Sequence, residues 1–111
     1  MVKLANEEQS QVKRATRAAY GATLAELANE GLPVVAVDAD LTGSTTTKKL
    51  ADAGFADRLF NCGIAEQNMV DVAAGLAATG HIAYTGSFAP FGTGRAHDQN
   101  PNTVCHSNLP V

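Results

Sequence analysis

Glu66 lies in the stretch "NCGIAEQNM", which directly precedes "VDVAAGLAATG", a run of alanine and short aliphatics that reads as a buried helix. A carboxylate in the first turn of a helix is stabilised by the unpaired amides and the dipole, an effect of about 0.3–1 kcal/mol. That alone describes an ordinary capping residue. The small residues behind it add a second use, because Ala and Gly let another backbone approach closely, as they do between membrane helices. A carboxylate packed at such a contact is desolvated and placed for proton transfer.

Two further groups could do chemistry. In "DADLTGSTTT", Asp38 and Asp40 close an apolar run, and Gly43, Ser44 and Thr45 follow. Open α/β sheets put their ligand crevices at such positions. A turn with a helix cap accounts for Thr42 to Ser44 equally well, and the Gly-x-x-x-x-Gly-Lys-Ser/Thr phosphate loop is absent. In "GSFAPFGTGRAHDQN", Phe88 and Phe91 are flanked by glycines and a proline. Paired aromatics commonly build cores, but Gly-rich loops at strand ends carry function.

No metal or disulfide pattern accompanies these groups. His81, His97 and His106 share no helical face with carboxylates at ligand spacing, and Cys62 and Cys105 are far apart. Both cysteines read as reduced, partly buried thiols.

The elements that must position these residues follow from periodicity and punctuation. "SQVKRATRAAYGATLAELANEG" repeats Val12, Ala15, Ala19, Ala22 and Ala25 at helical spacing, and Gly31 and Pro33 end the helix. "PVVAVDAD" is a short, nearly continuous apolar run, the pattern of a strand buried on both faces of a parallel sheet. "LTGSTTTKKLADAG" offers hydroxyls for capping and a short helix closed at Gly54. "DRLFNCG" is a second strand, 65–80 a helix, "HIAYTGSF" a third strand, and a partial helix is expected between Arg95 and Asn108. The order α-β-α-β-α-β-α predicts a three-layer α/β/α domain with a mainly parallel sheet. "SNLPV" reads as the start of a further strand, which makes the expected domain an incomplete one over 1–111, its sheet to be completed by a partner.

Composition limits the partners. The 111 residues suffice for one small domain, 45% are hydrophobic, and the formal net charge is -3 with no basic block. An extended nucleic-acid footprint is not expected from such a charge pattern. No apolar run approaches the roughly 18 residues of a membrane span, and no signal-peptide core precedes the first charges. The expected setting is cytoplasmic.

Taken in order, "ATRAAYGATL", "DADLTGST", "RLFNCGIAEQNMVDVAAGLAATG" and "SFAPFGTGRAHDQ" resemble the pyrimidine-binding domain of transketolase, above all the separately encoded C-terminal subunit of split bacterial forms. The resemblance runs from about Val12 to the end, and "GIAEQNM" and "GRAHDQ" are its most specific words. It implies thiamine diphosphate as cofactor and transfer of a two-carbon ketol unit from a ketose phosphate to an aldose phosphate, as in pentose phosphate metabolism.

By that resemblance Glu66 would be the catalytic acid that hydrogen-bonds the N1′ nitrogen of the aminopyrimidine. Phe91 would pack on the pyrimidine with Phe88 beside it, and Asp40 would lie near the cofactor. Arg17 and Ser44 would hold the sugar phosphate. Mg²⁺ or Ca²⁺ and the diphosphate would be bound by a partner, the N-terminal diphosphate-binding subunit of a homo- or hetero-oligomer, because its Gly-Asp-Gly…Asn motif is not found here. 1-Deoxyxylulose-5-phosphate synthase, pyruvate dehydrogenase beta-type subunits and a non-catalytic interaction module are the alternatives.

Departures from the family pattern accompany the match. "DQNPN" stands where the family has "DQIRN", and proline inside a helix costs about 3 kcal/mol. The helix is therefore expected to break after Gln99 and to restart beyond Pro101. Pro90, Gly92 and His97 also replace residues that are small, apolar or aromatic in the family. The family's "GEDG" loop is missing, so the chain is expected to be inactive alone.

Overall fold

The computed structural model describes residues 13–111. Val12, first in the predicted helical stripe, lies outside them. Helix α1 spans Thr16–Asn29, preceded by Ala15 in an extended conformation. Its buried residues are Gly21, Leu24 and Ala28, whereas Ala15 is exposed and Ala19, Ala22 and Ala25 are half-buried. The alanine stripe therefore marks the flank of the buried face. Alanine contributes little area, and Leu24 with neighbouring Tyr20 and Leu27 decides which side turns inward.

Strand β1, Val34–Asp38, is buried along its whole length, as the continuous apolar run predicts. It is the middle of a three-stranded sheet in the order β2-β1-β3, with β2 at Leu59–Asn61 and β3 at Ile82–Gly86. Both pairings are parallel, and Asp38 stands level with Asn61 on one side and Gly86 on the other. Alternation along β1 divides the core. Val35 and Val37 face Met69, Val70, Ala73 and Ala77 of helix α4, which spans Glu66–Ala78. Val34 and Ala36 face Leu24, Ala28 and Leu50 on the other side. The result is a layered α/β/α arrangement with a parallel sheet.

Between β1 and β2 the chain makes two short helices, α2 at Thr42–Thr45 and α3 at Lys48–Leu50, separated by Thr46 at φ 66°. The expected hydroxyl cap is not formed: neither helix has a side-chain cap. The hydroxyls of Thr45 and Thr47 instead donate to Asp38 Oδ2 at 2.7 and 2.9 Å. A buried carboxylate competes for those donors better than an exposed helix end does. Beyond α3 a wide-turn segment, Ala51–Phe55, is ended by Gly54 at φ 98°, near the predicted stop.

After β3 come two wide-turn helical segments, Pro90–Arg95 and Asn100–Cys105. The predicted break with a restart beyond Pro101 is not observed. The helical backbone carries through Pro101 because the residue falls in the first turn, where the missing amide loses no partner. Asn102 N still donates to Asp98 O at 3.2 Å, and His106 N reaches Pro101 O at 2.9 Å across the wide turn. Thr103 Oγ1 ties the segment to Asp71 of α4 at 2.9 Å. Val104 takes the inward position against the core, which leaves Cys105 exposed rather than partly buried. Cys62 is half-buried as expected, and burial pushes its thiol pKa up.

The "SNLPV" segment passes along the outer edge of β3, where Ala83 N donates to Pro110 O at 3.1 Å. This is the place a further strand would take. Among the described residues no helix is long and apolar enough to cross a membrane.

Candidate functional site

The chain runs from β1 to β2 on one side, then crosses through α4 to β3 on the other. Winding reverses between β1 and β3, and a crevice opens beyond their carboxyl ends at such a switch point. A cavity of about 790 Å³ lies there, lined by Arg17 and Tyr20 of α1, Ser44 of α2, Thr85 of β3, and Ser87 and Phe88 of the following loop. Three of the residues singled out in the sequence, Arg17, Ser44 and Phe88, are thus brought to one cavity.

The floor beneath Ser44 is rigid. Asp38, fully buried at the end of β1, accepts from Leu41 N at 2.5 Å as well as from the two threonine hydroxyls. Gly86 permits the close approach of this carboxylate: a Cβ there would stand 2.5 Å from Asp38 Oδ2. Tyr20 donates its hydroxyl to Thr85 O at 3.0 Å. Burial, then the nearby Asp38 charge, pushes the Tyr20 pKa well above the usual tyrosine range, so the phenol stays protonated as a donor. Arg17 is exposed, and its carbonyl accepts the Thr46 hydroxyl. The backbone of α1 is thereby tied to the turn that follows the helix bearing Ser44.

Glu66 occupies the first turn of α4 at only 5% exposure. Its Oε1 accepts from Arg95 at 3.1 Å, and that guanidinium also lies over the Phe91 ring, 3.9 Å from its centroid. Phe91 in turn contacts Phe88 with ring centroids 5.8 Å apart. A separate open cavity of about 520 Å³ is lined by Glu66 together with Ile64, Asn68 and Arg95. Five of the six predicted residues therefore form one path. Arg17 and Ser44 share the large cavity with Phe88, Phe88 meets Phe91, and Arg95 bridges Phe91 to Glu66.

Asp40 stands apart. It is exposed, at φ 65°, and exchanges hydrogen bonds with the Asn61 side chain at 3.0 and 3.3 Å. Two participants, Arg95 and Ser87, escaped the sequence reading, and Asp38 was named there only together with Asp40. Arg95 was visible as a single cation in a Gly-rich aromatic run. Asp38 carried no signal separating it from Asp40 beyond its position inside the apolar run. Ser87, whose buried Oγ has no hydrogen-bond partner among the described residues, gave none.

The slot formed by Glu66 and the Phe91 face already accommodates a planar group with an in-plane N–H, since the Arg95 guanidinium fills it. Among the described residues no group of three or more His, Cys, Asp and Glu could hold a metal ion.

The model of the transketolase pyrimidine-binding domain matches residues 12–111. The chain belongs to this family.

Relatives within and around the transketolase family agree with that assignment. A Methanocaldococcus jannaschii chain, named for the C-terminal section of a transketolase, is 46% identical over all 111 residues, which make up 33% of its own length. One of the subunits of an apulose-4-phosphate transketolase from Actinobacillus succinogenes is 47% identical over 83 residues, covering 73% of this chain and 26% of that one. A 1-deoxy-D-xylulose-5-phosphate synthase of Geobacter sulfurreducens is 44% identical over 92 residues, 83% of this chain and 14% of the enzyme. Among solved structures, a split-gene transketolase described as an inactive β4 tetramer superposes with a TM-score of 0.79 at 47% identity, over 90% of this chain and 33% of that one. The chain spans about a third of the length of the split relatives it matches.

Proposed function

We propose that this chain supplies the pyrimidine side of the active site of a thiamine-diphosphate-dependent transketolase. The observation that carries this reading is the buried Glu66 carboxylate joined through one planar cation to the face of Phe91. Thiamine diphosphate, when bound, would supply the electron sink that lets a carbon–carbon bond next to a carbonyl break. Glu66 would share a proton with the N1′ nitrogen of the aminopyrimidine, with Phe91 and Phe88 packing on the ring and Asp40 near the cofactor. Arg17 and Ser44, on the wall of the large cavity, would bind the phosphate of the ketose or aldose. The cytoplasmic setting and the ketol-transfer reaction of pentose phosphate metabolism belong to the same proposal.

The partner in this reading is an N-terminal subunit that binds the diphosphate and its Mg²⁺ or Ca²⁺. What supports it is that relatives are named as the C-terminal section of a transketolase and as one transketolase subunit among others. The chain would be inactive without that subunit and would work as part of a dimer or larger oligomer.

The test is Glu66→Gln in the complex with that subunit. Ketol transfer should fall about 10²-fold or more, the usual weight of a positioned proton-transfer group, while thiamine diphosphate stays bound. Normal transfer by the variant would sink the assignment. The 44% identity to a 1-deoxy-D-xylulose-5-phosphate synthase favours one second reading, in which pyruvate is the donor. Assaying a ketose phosphate and pyruvate side by side separates the two.

A further inference from the structure

We propose that Arg95 is a placeholder for the cofactor's aminopyrimidine: its guanidinium fills the slot between Glu66 and Phe91 in the free chain and leaves when the ring enters. This rests on the reading above that the slot receives the ring.

The guanidinium is planar and delocalised, with N–H groups in its plane. An aminopyrimidine is also planar and presents an in-plane edge to a carboxylate and a face to an aromatic. Arg95 makes both contacts at once, donating to Glu66 Oε1 at 3.1 Å and lying 3.9 Å from the Phe91 centroid. A carboxylate has acceptor positions to spare. The covered face of Phe91 does not, because a guanidinium at that distance leaves no room there for a second flat group.

The side chain is free to depart. Arg95 is 52% exposed and, among the described residues, hydrogen-bonds only to Glu66. It follows Gly92 and Gly94, around whose α-carbons there is open space. Its presence has a physical reason. A carboxylate at 5% exposure without a partner is strongly unfavourable, and Arg95 satisfies it until another N–H donor arrives.

The closed arrangement acts as a competitor, so apparent affinity for the ring is lowered by the fraction of open molecules. A half-exposed ion pair and a cation–π contact together bias the slot by roughly three- to thirtyfold. The experiment is calorimetric titration of the assembled complex with thiamine diphosphate and, separately, with inorganic diphosphate. Wild type is compared with Arg95→Ala and Arg95→Lys.

Arg95→Ala should bind thiamine diphosphate about three- to thirtyfold more tightly than wild type, with inorganic diphosphate unchanged. Arg95→Lys, which keeps the charge but loses the flat face, should fall between, and it carries the test alone if the alanine variant fails to assemble. Weaker or unchanged thiamine diphosphate binding by the variants overturns the placeholder role. If wild type binds inorganic diphosphate as tightly as thiamine diphosphate, the ring has no site in the slot. The underlying reading then falls, and the placeholder role with it.

Discussion

The Asp38 carboxylate is the residue on which the crevice depends most. It has no exposure, and its oxygens gather Leu41 N, Thr45 Oγ1 and Thr47 Oγ1. These bonds fix the turn that leads from β1 into the helix bearing Ser44. Asp38→Ala would strand Leu41 N and leave the two threonine hydroxyls only Leu41 O and each other as acceptors, each buried polar group left short of a partner costing about 1–3 kcal/mol. A total loss of about 3–5 kcal/mol is expected, against a stability of about 5–15 kcal/mol for a whole domain. Asp38→Asn, which keeps the size and one acceptor, should cost about half as much. Urea unfolding of the assembled protein reads both, and equal losses for the two variants would show that volume rather than hydrogen bonding matters at this site. Asp40, two residues on, should tolerate Ala within about 0.5–1 kcal/mol because its partner Asn61 is exposed and can turn to water.

At the scale of elements, the large cavity exists because α1 lies close against the loop after α2. Gly21 sits at the crossing, and a Cβ there would collide with the carbonyl of Thr46. Backbone cannot yield as a side chain can, so Gly21→Ala should cost about 1–3 kcal/mol despite alanine's better helix propensity. It should also push Arg17 away from Ser44, raising KM for phosphorylated substrates more than it lowers kcat. Steady-state kinetics with a phosphorylated donor measure the split, and an unchanged KM would mean that α1 does not set the phosphate end. Gly21 looked like an ordinary helix glycine in the sequence, because a close approach between distant segments leaves no local trace. The three strands and α4 were legible for the opposite reason. β1 is apolar from Val34 to Val37, and α4 carries buried Met69, Val70, Ala73 and Ala77 at helical spacing. The run after β3 was misread at Pro101 since a wide-turn helix starts there and has no distinct periodicity of its own. For the site, the motif words led to Glu66, Phe88, Phe91, Arg17 and Ser44. The Glu66–Arg95 pair depends on two side chains 29 positions apart and became visible only in three dimensions.

For the whole molecule, the open side of the Glu66 cavity is its least finished surface. Ile64 is 76% exposed, far above Leu32 at 38%, and it lines the same cavity as Glu66. An apolar residue of that size beside a desolvated acid suits a covering chain, and in the proposed function the diphosphate-binding subunit is the chain that would approach Glu66. Burial of an isoleucine contributes about 1.5–3 kcal/mol, so Ile64→Ser should weaken assembly with that subunit by about 10- to 100-fold in Kd. Leu32→Ser provides the control. Leu32 precedes β1, at the end of the sheet opposite the crevice, and its loss should leave Kd within about twofold. Sedimentation at graded concentrations measures both, alongside unfolding of the separate chain to exclude a folding defect. Equal weakening by the two variants, or none by Ile64→Ser, would move the subunit contact away from the Glu66 end and leave the acid to face solvent.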